Sequence, residues 1–274
     1  MARPELRPMS VGEILDRTAS LYRDNFGLFF GISLVPHAFV LAWALVQVAL
    51  QGPPPFLEPR ALRDLIVLAG FIVEAGFTYL FTQGSTAFAV SELYLGRGTS
   101  IRASLIQVVR RLGGLTRCIL LNGFTLFVGA VLFLLPGVFF ACRLMVALPA
   151  AVLEDLGARQ SFRRSFSLTR NNTSRALGIY ALYFSLRIVG ILLLFYPSGL
   201  VTDLSHVNPG GAIVWRDVVT FLNVLFATLV DPFLTIAAAV FYFDLRVRKE
   251  ALDLQLMMSG SEKIPERPIA APSI

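Results

Sequence analysis

Residues 9–50 read MSVGEILDRTASLYRDNFGLFFGISLVPHAFVLAWALVQVAL and decide the class of fold. Ser10 and Glu13 stand at the N-cap and N3 positions of a capping box, which predicts that a helix begins there. Apolar and charged residues then alternate with helical periodicity up to Asn25, which indicates an amphipathic helix. No charged residue follows until after Leu50, and at about 1.5 Å per residue this run crosses the ~30 Å hydrocarbon core of a bilayer. The stretch therefore predicts a short interfacial helix followed by a membrane span.

The composition of the whole chain agrees with a membrane protein. Of the 274 residues, 55% are hydrophobic and only 15% are charged, whereas a soluble domain carries about 25% charged residues. The mean hydropathy is +0.69, which excludes disorder for most of the length. The sequence therefore predicts an all-α polytopic membrane protein.

Five further apolar segments follow the first along the chain. The predicted spans lie near 26–50, 65–92, 118–138, 138–153, 176–200 and 218–243. The fourth is shorter than the ~20 residues that cross a bilayer, so we expect it to be tilted, shielded by neighbouring helices or partly re-entrant. The prediction is thus a six-span membrane domain over 1–250, followed by a largely disordered cytoplasmic tail over 251–274.

Three short amphipathic helices are predicted near 10–24, 100–112 and 158–171, each followed by two spans. This order predicts a repeat of three units. Five residues of the first helix recur without gaps in the third: Arg17, Ser20, Leu21, Arg23 and Asn25 match Arg164, Ser167, Leu168, Arg170 and Asn172. Similar composition under similar constraints is the alternative explanation of so short a match.

Basic residues predict the orientation in the membrane. Of the 24 Lys and Arg residues, 19 lie on one set of connections, three on the alternate set and two within spans. By the positive-inside rule, both termini face the cytoplasm. We expect arginines of the short helices to face anionic lipid headgroups. These are Arg17, Arg23, Arg110, Arg111, Arg159, Arg163, Arg164 and Arg170.

Three segments together resemble a known family. They are RPMSVGEILDRTASLYRDNFGLFFGISL (7–34), PGVFFACRLMVALPAAVLEDLGARQSFRRSFSLTRNN (136–172) and FYFDLRVRKEALDLQL (241–256). Over about residues 7–256 the chain resembles the prokaryotic glycerophosphoryl diester phosphodiesterase membrane-domain family. The resemblance implies a multi-pass protein of the prokaryotic plasma (inner) membrane. It does not imply phosphodiesterase activity, because the catalytic domain of such enzymes needs His and metal-binding carboxylates in a soluble barrel, and this sequence supplies neither.

Four ionisable residues fall within predicted spans: Glu74, Arg143, Arg187 and Asp231. A charge at the bilayer centre costs about 2.5–3.5 kcal/mol on insertion scales. Because two acids balance two bases, we expect the four to face one another as an intramembrane polar cluster, with Arg143 nearer the outer face. The cluster either binds a proton, an ion or an anionic headgroup, or only holds the helices together.

Motifs for enzymatic chemistry are missing from the sequence. It has no phosphate-binding loop, dinucleotide fingerprint, nucleophile elbow or HExxH pattern. The two Cys and the two His, His37 and His206, have no metal-ligand spacing, so we expect both His to be isolated polar side chains. We therefore expect no enzyme, catalytic residue, cofactor or metal. Topology explains the basic charge, so no nucleic-acid partner is expected.

Two functions stay open at this point. The first is a non-enzymatic scaffold or accessory module that interacts with lipid headgroups, partner proteins or a second copy of itself. The second is a small transporter or lipid-handling protein built around Glu74, Arg187 and Asp231. A water-accessible cavity that reaches these three residues favours the second function, and a dry, mutually paired cluster favours the first.

Overall fold

A computed structural model describes residues 7–50, 60–204 and 209–250, and over these ranges the chain is all-helical, as predicted. The helices within them are α1 (Val11–Asp24), α2 (Phe26–Leu50), α3 (Arg60–Tyr94), α4 (Ile101–Arg110), α5 (Leu112–Leu132), α6 (Leu134–Leu144), α7 (Ala147–Leu153), α8 (Ala158–Thr169), α9 (Thr173–Leu204) and α10 (Pro209–Glu250). The predicted tail over 251–274 and the residue His206 lie outside the described residues.

Several helices have the length and the apolar composition of membrane spans. Among the described residues, five stretches meet both conditions: Phe26–Trp43, Leu112–Gly129, Leu135–Leu153, Thr173–Leu193 and Val218–Glu250. The predicted span 65–92 lies inside α3, whose 35 residues make a helix about 52 Å long. The multi-pass membrane architecture is therefore confirmed, while the count of six spans stays a prediction.

The predicted capping box opens α1. The Glu13 backbone N–H donates to Ser10 Oγ at 3.3 Å, and the Ser10 N–H donates to Glu13 Oε2 at 2.6 Å. This second bond, with help from Arg7, lowers the pKa of the Glu13 carboxyl from 4.5 to about 2. Ser100 caps α4 in the same way, accepting from the Ala103 N–H at 3.2 Å.

The three short helices bury the same positions, counted from their N-caps. The caps are Ser10, Ser100 and Gly157. The fourth and eighth residues after each cap have 0% exposure: Ile14 and Thr18 in α1, Ser104 and Val108 in α4, and Ser161 and Ser165 in α8. Because residues i and i+4 share one face of a helix, α1, α4 and α8 turn the same face inward.

The turn between α5 and α6 lies five residues before the predicted boundary at 138. Phe133 alone turns the chain, with extended backbone at φ −169° and ψ 153°. Two prolines explain the helix starts that follow. Pro136 and Pro149 both stand at the third position, of α6 and of α7 respectively. Proline is tolerated there because first-turn N–H groups have no intrahelical partner. The boundaries 118–138 and 138–153 are therefore wrong.

The α5–α6 hairpin is shorter than the helices beside it. The Tyr180 hydroxyl of α9 lies 3.5 Å from the carbonyl oxygen of Ala141, so α6 and α9 lie side by side. From Ala141 to the turn at Phe133 the chain rises about 12 Å, whereas α9 continues for about 36 Å beyond Tyr180. Measured along the helices, the hairpin tip thus lies near the level of Arg187. The tip is apolar and open, since Phe133 is 76% exposed.

We expect the hairpin to depend on the close approach of Gly129 and Gly137. A Cβ atom on Gly129 would lie 3.0 Å from the Gly137 Cα atom, and backbone cannot move aside as a flexible side chain can. Gly129→Ala should therefore destabilise the protein by about 1–3 kcal/mol, measured by thermal unfolding in detergent.

The matched control for this prediction is Gly123→Ala on the same helix. A Cβ atom there meets nothing within 4 Å, so replacing the more flexible glycine should leave stability unchanged or raise it by about 0.5–1 kcal/mol. Equal melting temperatures for the two variants would contradict the close packing of the hairpin.

Candidate functional site

Three of the four predicted intramembrane charges line one cavity. Glu74 of α3, Arg187 of α9 and Asp231 of α10 surround a space of about 340 Å³. His37 of α2 and Tyr183 of α9 also line it. The cavity therefore lies between the two long helix pairs, α2–α3 and α9–α10.

Asp231 has the most polar contacts around this cavity. The Tyr183 hydroxyl donates to Asp231 Oδ1 at 2.8 Å. Arg187 Nη1 lies 3.7 Å from the same oxygen, and His37 Nε2 lies 3.4 Å from Oδ2. His37 Nδ1 in turn lies 2.8 Å from the Ser33 carbonyl oxygen. The Ser33 hydroxyl also lies 3.3 Å from His37 Nδ1, so His37 has polar contacts on both ring nitrogens.

His37 was not expected in this cluster. The residue is 4% exposed and its imidazole lies 3.4 Å from the Asp231 carboxylate. The expectation of an isolated polar side chain is therefore wrong. The only nearby sequence signal was Pro36, a proline inside a span without charged residues. A proline does not indicate which residues its polar neighbour contacts. His37 supplies a second base where the sequence predicted Arg143.

Several polar atoms around the cavity have no hydrogen-bond partner among the described residues. They are Arg187 Nη1, Asn223 Nδ2, Thr78 Oγ1 and Thr82 Oγ1. Buried polar atoms in proteins nearly always have partners, and an unpaired one costs about 1–3 kcal/mol. These atoms can therefore bind water, an ion or the polar part of a ligand, in addition to the pairs that Asp231 makes.

Arg143 does not join the polar cluster, contrary to the prediction; it lies beside α8, one of the helices predicted on the cytoplasmic side. Its guanidinium lies 4.7 Å from the ring centroid of Phe166 in α8, a cation–π contact. Its carbonyl oxygen accepts from the Ser165 hydroxyl at 2.7 Å. The physical reason is the early turn at Phe133, which makes α6 short and returns Arg143 to the level of α8.

A second group of charges, which the sequence did not reveal, joins the middle of α8 to the ends of α7 and α10. Arg164 binds both carboxylates at this end, donating to Glu154 at 2.8 Å and to Glu250 Oε2 at 2.8 Å. Arg246 donates to Glu250 at 3.0 Å, and the Tyr242 hydroxyl donates to Glu154 at 2.6 Å. Arg164 donates hydrogen bonds to both carboxylates. These bonds, the one to Glu250 most and the one to Glu154 less, raise the pKa of Arg164 above its ordinary value.

Asp244 is the centre of a separate group of ion pairs on α10. Its side chain is 0% exposed and binds Arg175 Nη1 at 2.8 Å and Arg248 Nε at 3.1 Å. The backbone N–H of Met9 donates to Asp244 Oδ1 at 2.7 Å. We call the region formed by Met9, Glu154, Arg164, Arg175, Asp244, Arg246, Arg248 and Glu250 the charged face.

The arginines predicted to face headgroups divide into two groups. Five are exposed: Arg23, Arg110, Arg159, Arg163 and Arg170. The other three are half-buried and make contacts within the protein, while their expected orientation towards headgroups stays a prediction. Arg17 lies 5.7 Å from the ring centroid of Tyr94, Arg111 Nη1 donates to the Val152 carbonyl at 2.9 Å, and Arg164 belongs to the charged face.

Comparison with known proteins gives one match. Residues 115–269 match the family model described as "Membrane domain of glycerophosphoryl diester phosphodiesterase". The match begins in α5 and continues past the end of α10, so it includes Asp231 and most of the charged face. No curated protein and no solved structure matches the chain.

Asp244→Asn should be among the most destabilising single changes in the charged face. It removes the charge that two arginines share inside the protein, and breaking a buried ion pair from one side costs about 3–5 kcal/mol. Asp24→Asn is the control, because among the described residues Asp24 contacts the exposed Arg23 and the Ser20 hydroxyl, and such surface pairs contribute about 0–1 kcal/mol. Thermal unfolding in detergent measures both, and equal losses would show that the network does not hold the helices.

Proposed function

Because the chain belongs to the glycerophosphoryl diester phosphodiesterase membrane-domain family, we propose that it is a non-enzymatic integral membrane module that presents one rigid face to lipid headgroups and partner proteins. The observation that carries the proposal is the charged face, in which Arg164 and Asp244 bind chain segments distant in sequence. The proposal assigns the protein no catalytic residue, cofactor, metal or nucleic-acid partner.

The ion pairs of the charged face hold the short helices in fixed positions. Arg164 ties α8 to the end of α7 and to the end of α10. Asp244 ties the segment before α1 to α10 and to the start of α9. A surface held in this way loses little conformational freedom when it binds a partner, which favours binding.

Five exposed arginines outside the ion pairs of the charged face supply the chemistry for binding headgroups. Arg23 of α1, Arg110 of α4 and Arg159, Arg163 and Arg170 of the α8 region are basic and open. Near an anionic leaflet each basic side chain contributes about 1 kcal/mol of attraction. We therefore propose that acidic phospholipids are the first partners of this face, with protein partners or a second copy of the chain as further ones.

The proposed topology places the charged face in the cytoplasm, with six spans across the prokaryotic plasma (inner) membrane. The excess of basic residues on these connections supports this side. Two contacts also support it, since Met9 binds Asp244 and Arg164 binds Glu250, and all four residues lie on connections assigned to the same side. The equal burial pattern of α1, α4 and α8 supports a threefold repeat of one short helix and one membrane hairpin.

Replacing the five exposed arginines together by glutamine tests the headgroup proposal. In nanodiscs of mixed phosphatidylglycerol and phosphatidylcholine, the unmodified chain should retain phosphatidylglycerol preferentially when native mass spectrometry counts its bound lipids. The glutamine variant should lose this preference several-fold, because its attraction to anionic headgroups is removed.

The matched control replaces the same five arginines by lysine. This variant keeps the charge and should keep the lipid preference. An unchanged preference in the glutamine variant would contradict the proposed attraction of the exposed arginines to anionic headgroups, provided that both variants melt at the temperature of the unmodified chain.

A second function is favoured by one observation, the cavity at Asp231. A space of about 340 Å³ lined by Glu74, Arg187 and Asp231 is what a small transporter or lipid-handling protein needs. Pairing within the cluster is incomplete, since Arg187 Nη1 has no hydrogen bond among the described residues. This candidate differs from the first in requiring that water or a ligand reaches the cavity.

Cysteine labelling separates the two functions. In a background with Cys118 and Cys142 replaced by alanine, Thr78→Cys places a thiol in the cavity wall. If the cavity admits water, a hydrophilic methanethiosulfonate reagent should modify this thiol much faster than one at Ala87, whose exposure is 0%. Equally slow modification of both thiols would contradict the transporter function.

A further inference from the structure

We propose that a cleft between α3, α5, α6 and α9 binds a glycerolipid that carries an acyl ester and a free hydroxyl group, such as diacylglycerol. The cleft has a volume of about 620 Å³ and is distinct from the cavity at Asp231, although Tyr79 lines both. The proposal is independent of the function proposed for the charged face.

Asn122 is the polar residue that marks this cleft as a binding site. Its side chain lines the cleft and is 5% exposed. Neither Nδ2 nor Oδ1 has a hydrogen-bond partner among the described residues. A buried amide with both ends unpaired is destabilising, so a ligand that accepts one hydrogen bond and donates another would bind there favourably.

Two glycines leave the space that such a ligand needs. Gly76 of α3 and Gly123 of α5 both line the cleft, and a Cβ atom on either would meet nothing within 4 Å. The side of the cleft is open, because Leu120, Phe124 and Phe127 are all about two-thirds exposed. A lipid therefore enters from the bilayer itself, without passing through water.

The hairpin register orients the ligand as a membrane lipid is oriented. Gly129 and Gly137 are in contact across the antiparallel α5–α6 pair. Asn122 precedes Gly129 by seven residues and Leu144 follows Gly137 by seven, so these two residues lie at the same level of the pair. This end of the cleft is level with Arg143, whose carbonyl binds α8. Phe127 lies at the other end, towards the hairpin tip. A polar group at Asn122 thus lies at the end of the cleft towards α8, and its acyl chain runs towards the hairpin tip.

The donor and acceptor pattern selects the class of lipid. Asn122 Nδ2 can donate to an ester carbonyl, while Oδ1 can accept from a hydroxyl on the adjacent glycerol carbon. A plain hydrocarbon would satisfy neither atom. A phosphate headgroup is disfavoured because no basic side chain occurs among the described residues that line the cleft.

Native mass spectrometry of the full chain in detergent tests this proposal with 1,2-dioleoylglycerol as the probe. The ester lipid should bind more tightly than its dialkyl ether analogue, which keeps the hydroxyl but lacks the carbonyls. Asn122→Leu should weaken the binding of dioleoylglycerol about tenfold. Because this change removes an unpaired buried amide, the variant should melt no lower than the unmodified chain.

Filling the cleft provides a second, independent variant. Gly123→Leu should abolish the binding of dioleoylglycerol, because its side chain occupies the acyl path. Gly114→Leu is its control, since Gly114 is also on α5 with nothing within 4 Å of its Cβ position but does not line the cleft. Asn223→Leu is the control for the amide, because Asn223 lines the other cavity.

Three results would overturn the proposal. They are equal binding of the ester and ether lipids, unchanged binding by folded Asn122→Leu or Gly123→Leu protein, and displacement of dioleoylglycerol by an equal concentration of phosphatidylglycerol. The last result would show a cleft that takes any surrounding lipid.

Discussion

The arrangement of the helices depends on the buried carboxylate of Asp244. Apolar helices in a bilayer gain little from hydrophobic association, because lipid tails are as apolar as leucine. Something polar must therefore select which helices meet. Asp244 has no exposed side-chain surface and binds Arg175, Arg248 and the Met9 N–H. It thereby joins the start of α1, the start of α9 and the end of α10, while a separate cluster around Arg164 joins α7, α8 and the end of α10.

Much of the fold and part of the site could be predicted from local signals. Capping residues predicted the start of α1, and the cost of charge in lipid indicated that Glu74, Arg187 and Asp231 would meet. Distant pairs such as Arg164 and Glu250 could not be predicted, because no local pattern relates residues so far apart in sequence. The turn at Phe133 was not predicted because Pro136 and Gly137 suggest a break at their own positions, whereas a proline at the third helical position follows a helix start two residues earlier.

The two cavities differ in the kind of occupant they suit. The one at Asp231 has charged walls, and bound water or an ion would lie among groups that already pair with one another. The cleft at Asn122 has apolar walls and one unpaired amide, so it suits an occupant that is itself mostly apolar. Tyr79 lies between them, with its helix α3 contributing to both, so a movement of α3 would change both spaces together.

The short α5–α6 hairpin has a consequence for how topology is inferred from basic residues. A hairpin contributes two crossings or none, but never one, because its two ends lie on the same side. Its tip can therefore stop near the level of Arg187 while α8, α9 and α10 keep their sides. The count of arginines on the connections is the same for a complete hairpin and for one that dips into the bilayer. The depth that the α5–α6 hairpin reaches in the bilayer is thus independent of the side of the membrane on which the later connections lie. A longer or shorter hairpin leaves the C-terminal segments on the same side.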